Sequence, residues 1–192
     1  MERMLLAGAA WGPVVFIGCW LVGGLLLPGY SPVDDPISRL AAVEADSRPL
    51  MNFGLGAFAI GVGMASWPIR RILGPWAATA LGLNALMTIG VLATPLDLSP
   101  ATDVAHGVFA GIAYLALASV GVLGSIWLRE HDRPSRAWLV VGLVTATALA
   151  LSITDLAPGL FQRIGLTATD VALILTGLRS RDQIGTWKVP IW

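Results

Sequence analysis

Apolar runs of about 20 residues, the length a helix needs to cross the ~30 Å hydrocarbon core of a bilayer, recur along the 192 residues of this chain. No other feature restricts its fold as strongly, and the composition agrees. Hydrophobic residues make up 56% and Asp, Glu, Lys and Arg together 12%, against roughly 45–50% and about 25% in ordinary globular proteins. The chain therefore reads as an all-α, polytopic integral membrane protein of one domain by length. Its formal net charge is zero and it has no basic block, which argues against nucleic acid as a partner. The single Cys19 lies inside an apolar run, so neither a disulfide framework nor a thiolate metal site is expected.

The breaks between the runs give six spans, at about 4–27, 50–69, 76–94, 102–128, 137–156 and 160–178. The first follows Met1-Glu2-Arg3 and continues to Pro28 without a small-residue cleavage site, so it is expected to be retained as a span. Residues 1–178 form the six-helix transmembrane domain and 179–192 a polar cytoplasmic tail. In the first loop, 30–48, Asp35-Pro36 resembles a cap followed by proline at the first helical position, and Ile37, Leu40 and Ala41 share one face. That pattern predicts a short helix lying on the membrane surface. Ser99 or Thr102 is expected to cap span four.

Six spans put both termini on one side of the membrane, and positive charge decides which. Arg3, Arg70, Arg71, Arg129, Arg133, Arg136, Arg179, Arg181 and Lys188 share one face, and Arg39, Arg48 and Arg163 the other. The bias places both termini in the cytoplasm. Trp67, Trp76, Trp127 and Trp138 fall at the cytoplasmic ends of their spans, where an interfacial aromatic belt belongs. The preponderance of Arg over Lys, with abundant Ala and Gly, points to a GC-rich bacterial genome and hence to the bacterial cytoplasmic (inner) membrane.

This orientation carries Asp34, Asp35, Glu44, Asp46, Asp97, Asp103, His106 and Asp155 to the outer face. Asp103 and His106 lie one turn apart, and Gly107, Ala110 and Tyr114 continue their stripe inward. A carboxylate beside an imidazole suits a general base, a proton carrier or a pair of metal ligands. It equally suits a charge set against a helix N-terminus beside a histidine bonded to a neighbouring helix. With no HxxxH or ExxH pairing, no metal and no cofactor are expected.

On span six Arg163, Thr167 and Asp170 fall on one face, Asp170 about 10 Å deeper than Arg163. A carboxylate at that depth costs roughly 2.5–3.5 kcal/mol on insertion scales, so it should face the bundle interior, with Asn84, Thr167 or water as partner. Function and helix packing explain it equally well. Asp34, Asp35, Arg39 and Arg163 suit a zwitterionic or anionic headgroup, although a surface loop pairing its own charges is the simpler reading. The glycines of span two, among them Gly56 and Gly61, permit close helix packing. Ser31-Pro32-Val33-Asp34-Asp35 and Ser99-Pro100-Ala101-Thr102-Asp103 both read S-P-x-x-D. Duplication or shared helix-start chemistry accounts for the echo.

Tyr30-Ser31-Pro32, Asp35 through Leu40, Asn52-Phe53-Gly54, Pro95-Leu96-Asp97 followed by His106, and Gly159 through Arg163 together resemble the bacterial six-span membrane family known as domain of unknown function 998. The likeness covers about residues 5–178, and the tail departs from it. It implies the six-helix fold and an outward polar rim, and it supplies no activity.

The reading that follows is a protein that binds or handles a lipid-like or isoprenoid-like molecule in an outward-facing vestibule. Tyr30, Asp34, Asp35, Arg39, Asp97, His106, Tyr114, Gln162 and Arg163 would contact the ligand. At least three of Asp34, Asp35, Arg39, Asp97, His106, Asp155 and Arg163 are expected to line one shared outer pocket, and Arg39 or Arg163 to pair with an acid. Membrane lipids are the expected partners, within a larger envelope complex or a homo-oligomer. The rival readings are a membrane enzyme using Asp97, Asp103, His106 or Asp155 as acid and base, a proton-coupled transporter using Asp170, and a structural subunit.

Overall fold

A computed structural model describes residues 1–180 of the chain. The expected tail falls, from residue 181 onward, outside the described residues. Six long helices follow one another: α1 (Glu2–Leu26), α2 (Arg48–Leu73), α3 (Pro75–Ala93), α4 (Pro100–Glu130), α5 (Arg136–Leu151) and α6 (Pro158–Ser180). A 3-10 helix (Ile37–Ala41) lies between α1 and α2, and there is no strand among the described residues. The chain is a membrane-embedded helical bundle. In hydrocarbon the backbone must satisfy its own hydrogen bonds, and a helix does so within one segment.

Proline sets several of the starts. It stands at the first or second position of α2, α3 and α4 and opens α6, where its fixed φ suits the first turn and its missing N–H is not needed. Ser99 caps α4, its Oγ accepting from the Thr102 N–H at 3.2 Å. The first S-P-x-x-D segment closes alike, with Ser31 Oγ accepting from the Asp34 N–H at 3.2 Å. Gly74 alone joins α2 to α3. Its φ of 87° and the Trp127 ring, 2.5 Å from where a Cβ would stand, both require glycine there.

Each helix packs against the next, and α6 returns to α1, so the six close into a ring with α2 also touching α4 across it. The pairs run antiparallel. Arg71 at the end of α2 binds Glu2 at the start of α1 at 2.7 Å, and Thr94 at the end of α3 meets His106 at the start of α4. Gly177, near the end of α6, lies against Leu6 and Ala9 of α1. Each end of the ring therefore gathers alternate connections.

Four helices, α1 to α4, are long and apolar enough to cross a membrane. α5 is shorter, at 16 residues, about 24 Å. It stops at Leu151 rather than at the expected Leu156. There the Ser152 and Thr154 hydroxyls donate to the Leu149 and Leu151 carbonyls, and Ala157 adopts φ 51° before α6 begins. α6 is long enough at 23 residues but carries Arg163 and Asp170 among its apolar side chains.

The first loop departs from expectation. Ile37, Leu40 and Ala41 of the 3-10 helix are buried in the core cluster, so this turn plugs the end of the bundle instead of lying flat on a surface. Nor does Asp35 cap it. The capping position is Pro36, and the Asp35 carboxylate turns back to the Ser31 N–H at 2.7 Å.

Candidate functional site

Two distinct arrangements occupy the end of the bundle that holds the first loop. One is a staple built on Arg163. This side chain is only 7% exposed and makes no carboxylate pair among the described residues. One terminal nitrogen donates to the carbonyls of Pro32 at 2.8 Å, Gly159 at 2.8 Å and Asp35 at 3.1 Å. The other donates to the Tyr30 hydroxyl, whose own proton goes to the Pro36 carbonyl at 3.2 Å. The guanidinium also sits 5.2 Å from the Trp20 ring and 5.4 Å from the Tyr30 ring.

Gly159 permits the approach, since a Cβ there would stand 2.3 Å from the Asp35 carbonyl oxygen. The Leu160 N–H donates to the Val33 carbonyl at 2.9 Å, completing the attachment of the loop to α6. Burial pushes the Tyr30 hydroxyl above its ordinary pKa, with Arg163 pulling against it. At Asp35 partial burial pushes up, but the Ser31 amide and the Arg39 and Arg163 charges outweigh it and hold the carboxyl below its ordinary value. It stays ionised at neutral pH and pairs with Arg39.

The second arrangement is a partly open cavity of about 60 Å³ beneath the 3-10 helix, room for about four waters at ~15 Å³ each. Phe16 of α1, Met51, Leu55 and Phe58 of α2, Val91 of α3 and Leu166 of α6 make it largely apolar. Its polar lining comes from Ser38, Asn84, Thr88, His106, Tyr114 and Gln162. Gln162 links the two arrangements. Its carbonyl accepts the Ile37 N–H at 2.6 Å, and its amide donates to the Tyr114 hydroxyl.

Asn84, 2% exposed, donates through Nδ2 to the Ala113 carbonyl at 2.9 Å, which fixes the orientation of its amide. Its Oδ1 is buried without a hydrogen-bond partner. His106 bonds through Nδ1 to the Thr94 carbonyl at 2.6 Å. A carbonyl only accepts, so Nδ1 carries the proton and Nε2 of the neutral ring is an acceptor.

The expected site residues thus divide. Tyr30, Asp35, Arg39 and Arg163 gather in the staple, and His106, Tyr114, Gln162 and Asn84 line the cavity. Asp34 is exposed and accepts from the Ser31 hydroxyl at 2.7 Å. Asp97, in the left-handed region at φ 65°, offers its N–H to the Asp103 carboxylate at 2.9 Å, away from the cavity. Asp155 stands exposed between α5 and α6. Of the seven outer groups, at least three of which are expected to share one pocket, His106 alone lines this cavity.

Asp103 and His106, although one turn apart, bond to different partners. No hydrogen bond among the described residues joins the side chains of Asp97, Asp103, His106 or Asp155 to one another. Asp170 is 1% exposed and points inward, yet neither carboxyl oxygen has a hydrogen-bond partner among the described residues. Asn84 is committed to Ala113, and Thr167 does not bond to it. Sequence reasoning missed Thr88 and the aromatic floor of Phe16 and Phe58, whose rings lie 5.1 Å apart. Thr88 was findable, one turn from Asn84 on the same face of α3.

The sequence model of the family described as protein of unknown function (DUF998) matches residues 10–179. No curated protein and no solved structure matches the chain.

Proposed function

The chain belongs to the DUF998 family, and on that premise we propose that it binds a lipid-like molecule in the cavity beneath the 3-10 helix. The observation that carries this reading is Asn84, a lining residue whose buried Oδ1 has no hydrogen-bond partner among the described residues, on a cavity whose walls are otherwise mostly apolar. Such a site suits an amphiphile whose head lies among Asn84, His106, Tyr114 and Gln162. Its first carbons lie against Phe16, Leu55 and Phe58, and the remaining chain runs out between helices. Membrane lipids are the natural source, and no second protein is needed. The position of Asp97, Asp103 and Asp155 outside the cavity lining favours binding over acid–base chemistry there, which requires donor and acceptor within reach of one reacting atom.

Lipid analysis by mass spectrometry of the purified full chain tests this. Wild type is expected to retain a lipid-like molecule in stoichiometric amount, and Ala110→Phe, which fills the cavity, to lose it by about 10-fold while remaining folded. Equal retention by the two proteins, or none by folded wild type, would overturn the reading.

All six helices cross the membrane in this proposal, with the loop-capped end outward from a bacterial inner membrane. The arginines of the opposite end, Arg3, Arg70, Arg71, Arg129, Arg133 and Arg136, support that orientation, and Trp67 and Trp76, exposed beside them, suit an interface there. A periplasm-active reporter fused after Asp46 or Ser99 should be active, and one fused after Asp132 silent. The reverse pattern would invert the assignment.

A further inference from the structure

We infer that the head of the bound molecule is a neutral hydroxyl, as in a long-chain or isoprenoid alcohol, rather than a phosphate or another ionised group. This rests on the lipid-binding reading of the same cavity. Charge is the first argument. Among the described residues, no Asp, Glu, Lys or Arg lines the cavity. The nearest cation in sequence, Arg163 beside Gln162, turns its guanidinium to the Pro32, Asp35 and Gly159 carbonyls and to Tyr30. An ionised head would give up its hydration with no counter-ion to replace it.

Hydrogen-bond polarity is the second argument. Asn84 Oδ1 accepts only, and its amide cannot flip without breaking the bond from Nδ2 to the Ala113 carbonyl. It therefore calls for a donor. His106, a lining residue with its Nδ1 proton committed to Thr94, has a second acceptor in Nε2 whenever its ring is neutral. Tyr114 accepts from Gln162 and keeps its own proton to donate. Beside the hydroxyls of Ser38 and Thr88, the cavity thus offers acceptors at Asn84 and at a neutral His106 ring, and a donor at Tyr114. A hydroxyl both donates and accepts, and so answers the set. Ethers and ketones only accept, which leaves Asn84 Oδ1 unpaired, and a bare hydrocarbon pairs with none of the three.

Binding of tritiated farnesol to the detergent-solubilised full chain, competed with unlabelled farnesol, farnesyl methyl ether and farnesyl monophosphate, tests the inference. Farnesol is expected to bind, with the ether and the phosphate each weaker by about 10-fold or more, the effect of one buried acceptor left unsatisfied. Asn84→Leu should abolish the preference of alcohol over ether. If that variant fails to fold, the wild-type ratios decide alone. Three equal competitors, or a phosphate that binds tightest, would overturn the hydroxyl assignment while leaving the lipid-binding reading intact. No binding of any of the three, together with equal lipid retention by wild type and Ala110→Phe, would sink both.

Discussion

Replacing Arg163 by alanine should destabilise the protein by about 3–5 kcal/mol, the range expected when the charged member of a buried polar network is removed. The side chain donates to three backbone carbonyls and one hydroxyl. Two of those carbonyls, of Pro32 and Asp35, belong to the first loop, and their loss frees the segment that carries the 3-10 helix. Arg163→Lys should recover less than half of the loss, because a single ammonium cannot reproduce the planar fork. Equilibrium unfolding of the detergent-solubilised protein gives the magnitude, and limited proteolysis gives the location, with new cleavage expected between residues 30 and 47. An unchanged unfolding midpoint in Arg163→Ala would show that the loop is held by other contacts.

The two glycines Gly56 and Gly61 should respond in opposite ways to alanine. At Gly61 a Cβ would stand 2.8 Å from the Gly8 carbonyl oxygen and 2.9 Å from the Gly12 Cα. Neither backbone atom can step aside without moving α1 bodily away from α2. Gly61→Ala should therefore cost about 1–3 kcal/mol, as overpacking does. At Gly56 nothing lies within 4 Å of the added carbon, so Gly56→Ala should be neutral or stabilising by up to about 1 kcal/mol through helix propensity. Paired unfolding curves in the same detergent decide the matter. Equal effects at the two positions would mean that α1 and α2 do not meet at Gly61.

Both predictions turn on matters that the sequence left open. Gly56 and Gly61 occupy one apolar run and read alike in it, and only the crossing with α1 separates them. Arg163 reads as a headgroup ligand because a cation near a span end is ordinarily free to face lipid or solvent. In the folded chain it serves the backbone of a loop some 130 positions away in sequence. The fate of Asp35 was partly legible, since an arginine four positions on is a common partner. Its bond to the Ser31 N–H required the loop to fold back.

The sequence by itself determined the class of structure, the number of long helices and most of their limits. These follow from run length, from proline and glycine at the breaks and from serine caps, all of them local properties of the chain. It also picked out Asn84, His106, Tyr114 and Arg163 from their places in the spans, and Gln162 through the family resemblance. The tertiary structure decided which faces of the helices turn inward, and with them the cavity. In a soluble bundle that choice is written as an alternation of polar and apolar faces. Here the outer surface meets hydrocarbon, which is as apolar as the core, so both faces are spelled with the same residues. Leu115 is 73% exposed and Leu117 fully buried two positions on, with nothing in the identity of either to say which. The division of the outer groups between a staple and a cavity follows from the same cause, because it depends on the rotation of α4 and α6 and on the closure of α6 against α1.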